Sequence, residues 1–163
     1  MPTAMGEYLV GAYLKLIKGC DLVDYNARPP GGGLKGLEEL DVIGLNFDTD
    51  TAYFCEVTTH IMGGLYGSYE NSITKVTEKY ARQKDYANTY LKNFSNPVFM
   101  FWSPRVSKGY LTENLAKLDG LELIINEEYT KAIDELRVKA KKMGNDTGNP
   151  AFRVLQILEH LRR

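Results

Sequence analysis

The chain has 163 residues, of which 44% are hydrophobic and 25% charged, with a formal net charge of −1 at pH 7. That length suits one domain, residues 1–163, with one real core, and the charge balance argues against tight non-specific nucleic-acid binding through bulk positive charge, though not against a local basic patch. No run is long and apolar enough to span a membrane. The start of the chain lacks the basic-then-apolar pattern of a signal peptide, and Cys20 and Cys55 make neither a disulfide framework nor a zinc site; a cytoplasmic protein is the expectation.

Residues 4–18 carry Leu9, Ala12, Tyr13, Leu16 and Ile17 at helical spacing, with Thr3 as a possible N-cap and Gly19 as a stop. Glu7 lies near the start of this helix, either as an acid favoured by the helix dipole or as a functional group. Asp21 to Tyr25 is a short strand candidate. Pro29-Pro30-Gly31-Gly32-Gly33 then reads as a mobile loop. The GGGLKG within it lacks the spacing of a phosphate-cradling loop and leads into a strand rather than a helix.

The stretch Leu37 to His60 reads as two strands joined by the acidic turn Asp48-Thr49-Asp50, an antiparallel pair. Each strand carries one acid among apolar neighbours, Asp41 beside Val42 and Ile43, and Glu56 between Cys55 and Val57. Alternation puts Phe54, Glu56, Thr58 and His60 on one face and Tyr53, Cys55 and Val57 on the other. Neighbouring strands lie roughly 5 Å apart, so two acids on one face of the pair can share a divalent cation. Without a cation or a proton between them, two partly buried carboxylates that close are costly.

Gly63, Gly64 and Gly67 mark another loop, followed by a long helix over about 70–92 with Ile73, Val76, Tyr80, Ala87 and Leu91 on its core side. At about 100° per residue, Lys79 and Gln83 fall on the shoulder of that face and can reach the sheet, while Lys75 and Arg82 point further into solvent. Pro97 to Trp102 is a buried strand, Thr112 to Leu118 a short helix and Leu121 to Asn126 a second buried strand, which together suggest a parallel crossover. Asn126 is expected to cap a helix running to Gly144. Asn149 and Pro150 start a last helix whose Ala151, Val154, Leu155, Leu158 and Leu161 form an apolar stripe that either closes the core or offers a partner surface. His160 is read as a surface residue.

Helix, three meandering strands, long helix, strand, with acids at these places, resembles the core of the PD-(D/E)xK nuclease superfamily, the restriction-endonuclease-like fold. The matching pieces are Gly6-Glu7, Glu39-Leu40-Asp41-Val42-Ile43 and Phe54-Cys55-Glu56-Val57-Thr58, and the resemblance covers roughly residues 5–103. It implies an α/β fold with an αβββαβ core (about 5–126), a mixed central sheet flanked by helices, and extra C-terminal helices (about 127–163). It also implies Mg²⁺ or Mn²⁺ as cofactor and nucleic acid, DNA before RNA, as substrate. Asp41 matches the family's metal-binding aspartate, Glu56 the acid of its E-x-K element and Glu7 the extra glutamate of its first helix, with the Val57 carbonyl an additional ligand. The family's lysine is Thr58 here, and a neutral hydroxyl cannot supply the lysine's charge. Lys79, then Gln83, are the candidates to replace it from the long helix, while His60, Tyr66 and Tyr69 are possible accessory groups beside the site. The function expected is divalent-metal-dependent phosphodiester hydrolysis. The alternatives are a catalytically degenerate nuclease fold acting as a nucleic-acid-binding or protein-interaction module, and an α/β interaction protein in which Asp41 and Glu56 face solvent or pair with basic side chains. A homodimer or a partner protein is compatible with each.

Overall fold

The computed structural model describes residues 2–32 and 39–162. The order is α1 (Met5–Leu16), β1 (Leu22–Ala27), β2 (Leu40–Asn46), β3 (Thr51–Val57), α2 (Tyr69–Tyr90), β4 (Asn96–Ser103), α3 (Tyr110–Leu115), β5 (Leu121–Ile125), α4 (Glu127–Lys142) and α5 (Pro150–Leu161). The strands form one open mixed sheet in sequence order, β1-β2-β3-β4-β5. The first three are antiparallel neighbours, and β4 and β5 add in parallel. Parallel neighbours need a crossover, which α2 supplies between β3 and β4 and α3 between β4 and β5. The glycine-rich reading of 31–36 and the start of the central stretch at Leu37 fall largely outside the described residues.

Both faces of the sheet are covered. Helices α1 and α4 pack on one, where Val10, Leu14, Val42, Cys55, Trp102 and Leu136 meet. Helix α2 covers the other, over Ala52 and Phe54, and with α3 over Phe101 and Leu111. Coverage on both faces explains why β3 and β4 read as near-continuous apolar runs. Side chains as large as Trp102 and Phe54, each stabilising the fold by roughly 1.5–3 kcal/mol on burial, leave little room for a neighbouring charge. The helix-to-sheet approach is close at Gly44, where an added Cβ would come 2.9 Å from both Leu14 Cδ1 and Cys20 Sγ.

Two expectations about helix ends need correction. Helix α1 is capped at Ala4 rather than Thr3, because Glu7 turns back and accepts the Ala4 backbone N–H at 2.9 Å. Asn126 stands at the N-cap of α4 with φ at 53°, but its side chain is used elsewhere, accepting the Val106 N–H at 2.9 Å. Asn149 does cap α5, accepting from Phe152 N at 3.0 Å.

Helix α5 lies over α1 and α4 and buries Ala151, Phe152, Gln156 and Glu159, while Val154, Ile157, Leu158 and Leu161 are exposed, so most of the apolar stripe is surface rather than core. The polar pair faces inward because each has partners there. Gln156 Nε2 donates to Met143 O and Asn145 O at 2.9 Å, satisfying carbonyls at the end of α4. Glu159 accepts from Arg137 at 2.7 Å.

Candidate functional site

The tight turn after β2 fixes the register of the central hairpin. Asn46 pairs with Thr51, Ile43 with Phe54 and Val42 with Cys55. One further step along that ladder sets Asp41 opposite Glu56. Both side chains point to the α2 face, at the end where the pair runs out of partners and the packed aromatic core gives way to polar groups. Each carboxyl lies within hydrogen-bonding reach of the other. Asp41 is fixed from behind, its Oδ2 accepting the Val57 N–H at 2.8 Å.

Lys79 arrives from α2 and its Nζ forms an ion pair with Glu56 Oε1; the Glu56 side chain is 5% exposed and that of Lys79 28%. Burial and the neighbouring Asp41 charge push the Glu56 carboxyl up to about 8, against the opposing pull of Lys79. Burial also raises Asp41, while the Val57 N–H and Lys79 hold it down. Lys79 is itself raised, the two acids and Tyr66 outweighing its desolvation. Below about pH 8 the Glu56 carboxyl is therefore protonated beside Asp41 and Lys79. Above that it carries one net negative charge, a state suited to a cation.

Thr58 is buried and turned inward. Its hydroxyl donates to Ser103 Oγ at 2.8 Å, Ser103 Oγ donates to Arg105 O at 3.3 Å, and its N–H donates to Trp102 O at 2.8 Å. The threonine ties the end of β3 to the end of β4. Gln83 is buried one helical turn beyond Lys79, its Nε2 donating to Phe54 O and Met100 O at 3.2 Å each, with Oε1 unpartnered. The amide is thus spent on strand carbonyls, and of the two candidates on α2 it is Lys79 that meets the acids.

Glu7 is half-buried at the N-terminus of α1, close enough to feel the Asp41 and Glu39 charges, which together with burial raise its carboxyl. Its approach depends on Gly6, where an added Cβ would fall 2.2 Å from Thr59 Cγ2 beyond the end of β3. Glu39 is held by Arg28, whose Nε donates to it at 2.9 Å. Among the described residues no three His, Cys, Asp or Glu side chains converge as a metal cage.

The loop after β3 brings Tyr66 over the site. Lys79 Nζ lies 5.7 Å and Lys75 Nζ 5.4 Å from the Tyr66 ring centroid, and His60 meets that ring edge-on at 6.0 Å. Burial raises the Tyr66 phenol. Tyr69 lies farther along the rim, stacked on Tyr110 with centroids 6.3 Å apart. No protein-family model, curated protein or solved structure matches this chain.

Lys75 and Ser103 belong to the site's surroundings although nothing in the sequence marked Ser103. The spacing of four between Lys75 and Lys79 was a signal for the former, since it puts both ammonium groups within reach of one aromatic ring. The pair Ser103–Thr58 is 45 residues apart and becomes visible only once β3 and β4 are aligned.

Proposed function

We propose that this chain is a divalent-metal-dependent nuclease on a restriction-endonuclease-like PD-(D/E)xK core. One arrangement carries the reading: two carboxylates opposite each other on adjacent strands, with a lysine from the following helix laid on one of them. The donor set fits Mg²⁺ or Mn²⁺, hard cations that accept one or two carboxylates and leave their remaining positions to water and substrate phosphate. Asp41 and Glu56 would hold the cation, with the Val57 carbonyl as a further donor. Bound there, the metal supplies polarisation of a phosphate oxygen and a water of lowered pKa.

The protein's own residues have distinct tasks. The Val57 N–H fixes one Asp41 oxygen, which leaves the other free to face the ligand. Lys79 Nζ lies on Glu56 Oε1. Were a cation to take that oxygen, the ammonium would be free to bear on the phosphate and would stabilise charge on phosphorus-bound oxygens. It would thereby take the role that Thr58 cannot. Glu7 shapes the field at Asp41.

A second reading draws on the same ion pair. Lys79 already satisfies Glu56, and a fold with an internal counter-charge can serve as a binding module without metal. Calorimetric titration with Mg²⁺ and Mn²⁺ for the wild type and Glu56→Ala, with cleavage of mixed DNA and RNA alongside, separates the two. Binding that the variant loses, together with metal-dependent cleavage, supports the nuclease. A folded wild type that neither binds the cations, alone or with oligonucleotide, nor cleaves refutes it and leaves the binding module.

A further inference from the structure

We propose that the rim beside the Asp41–Glu56 site is a groove for single-stranded nucleic acid, with Tyr69 and Tyr110 as its base-stacking platform and Arg105 and Lys108 as its phosphate contacts. The proposal rests on the hydrolytic reading only for where the scissile phosphate lies. It adds the strand character of the substrate.

The rim is continuous. Beyond β3 the chain passes His60 and then Ile61 and Met62, which are 67% and 90% exposed. This loop is pinned to the one after β4, since Gly63 O accepts from Ser107 N at 3.2 Å and from Ser107 Oγ at 3.1 Å. Between the two loops opens a cleft of about 480 Å³ whose lining includes Met62, Arg105, Ser107, Lys108 and Asn126. Two residues past Lys108, at the start of α3, Tyr110 stacks on Tyr69 from the start of α2. Their planes are 27° apart, and they remain 43% and 51% exposed. Tyr66, three residues before Tyr69, closes the path back to Lys79 and the two acids.

Apolar and aromatic side chains left this open cost free energy unless something covers them. Their company indicates what does. Lys75, Lys79, Arg105 and Lys108 follow the same rim in a chain whose net charge is −1. Lys108 pairs with Glu127, but both side chains are about 70% exposed, so that pair is weak and yields to a phosphate. Stackable rings alternating with cations are what a strand with free base faces requires, whereas a duplex hides those faces. The exposed Met62 and Ile61 suit the same ligand, as apolar groups that bear on unstacked bases.

The test measures fluorescence anisotropy of a labelled single-stranded oligonucleotide and of its duplex, with the whole chain in EDTA. Wild type is compared with Tyr69→Ala/Tyr110→Ala, Tyr69→Phe/Tyr110→Phe, Arg105→Glu/Lys108→Glu and, as an equal change of charge elsewhere, Lys141→Glu/Lys142→Glu. Single strand should bind more tightly than duplex. The alanine pair should weaken single-strand binding about tenfold or more while the phenylalanine pair preserves it. The Arg105/Lys108 variant should flatten the salt dependence of binding, and the Lys141/Lys142 variant should do so far less. Equal binding of both forms, an alanine pair that binds like wild type, or equal losses from the two charge reversals would each overturn the groove. Groove-dependent binding by a protein that never cleaves with Mg²⁺ would uphold the groove and sink the nuclease. Cleavage that the groove variants leave untouched would do the reverse.

Discussion

Replacing Lys79 with methionine keeps most of the side-chain volume and removes the one cation that touches the buried acids. The cost depends on pH, because Glu56 has an escape. Its ordinary carboxyl titrates near 4.5 in the unfolded chain and near 8 in the folded one. The folded protein thus holds a proton that the unfolded chain has released. The stability this contributes is fully present below about 4.5 and is lost as pH rises through about 8. Lys79 is also raised, so its own contribution persists until pH passes its elevated value. Lys79→Met removes an attraction that lowers Glu56, and the carboxyl then titrates higher still.

At pH 5 both proteins carry Glu56 protonated when folded, so the variant breaks no charge pair with it. At pH 9 the wild type has an ion pair, while the variant must keep the proton at about 1.4 kcal/mol for each unit by which the pH exceeds the wild-type titration point. Leaving a buried charge with no partner costs about 3–5 kcal/mol, and protonation caps the loss below that. A penalty larger at pH 9 than at pH 5 by up to about 1.4 kcal/mol follows, because pH 9 lies about one unit above the wild-type titration point. Urea denaturation in EDTA at the two pH values reads it as a shift in midpoint at constant slope. Equal penalties at both values would refute the raised Glu56 carboxyl.

On the nuclease reading, the same proton links to the metal. Binding of Mg²⁺ or Mn²⁺ must displace it, so affinity should rise by up to about tenfold per pH unit between pH 6.5 and 8, with proton release visible as buffer-dependent heat in calorimetry. Glu56→Gln removes the titration without changing shape. It is expected to make the metal-free protein more stable than wild type at pH 9, by about 1–2 kcal/mol in urea, and to abolish cation binding and cleavage. On α5, Phe152→Ala should cost about 3–5 kcal/mol because its ring is fully buried. Ile157→Ser should change the same urea midpoint by no more than about 0.5 kcal/mol, since it lies on the exposed face. A reversed order would mean that α5 docks by its other side.

The opposition of Asp41 and Glu56 was legible because a short turn leaves a hairpin one economical register. Asp41 lies five residues before Asn46 and Glu56 five after Thr51, and Asn46 and Thr51 are partners. Helix phase likewise brought Lys79 and Gln83 to the sheet. Choosing between them needed the axial position of α2 against β3 and β4, a matter of one turn or about 5.4 Å, which no local pattern encodes. The α5 stripe left two readings open for a related reason. Val154, Leu158 and Leu161 obey helical spacing as well as any core face does, but inward burial was decided by what Gln156 and Glu159 find on α4. Hydrophobic periodicity ranks faces by transfer free energy alone, and a buried amide that satisfies two carbonyls can outweigh it.

Thr58 joins these threads. Read along the chain, it stands where the nuclease resemblance would place a lysine. In the folded protein the position is buried, and its hydroxyl bonds to Ser103, which in turn donates to the backbone of Arg105. An ammonium there would have to displace that chain and be buried beside Trp102 and Ser103. Lys79 reaches Glu56 from α2 at about a quarter exposure, close enough to act and wet enough to stay charged. The two observations support one account. The charge beside Glu56 stands on the helix, and Thr58, through Ser103, fastens the loop that presents Arg105 to the rim.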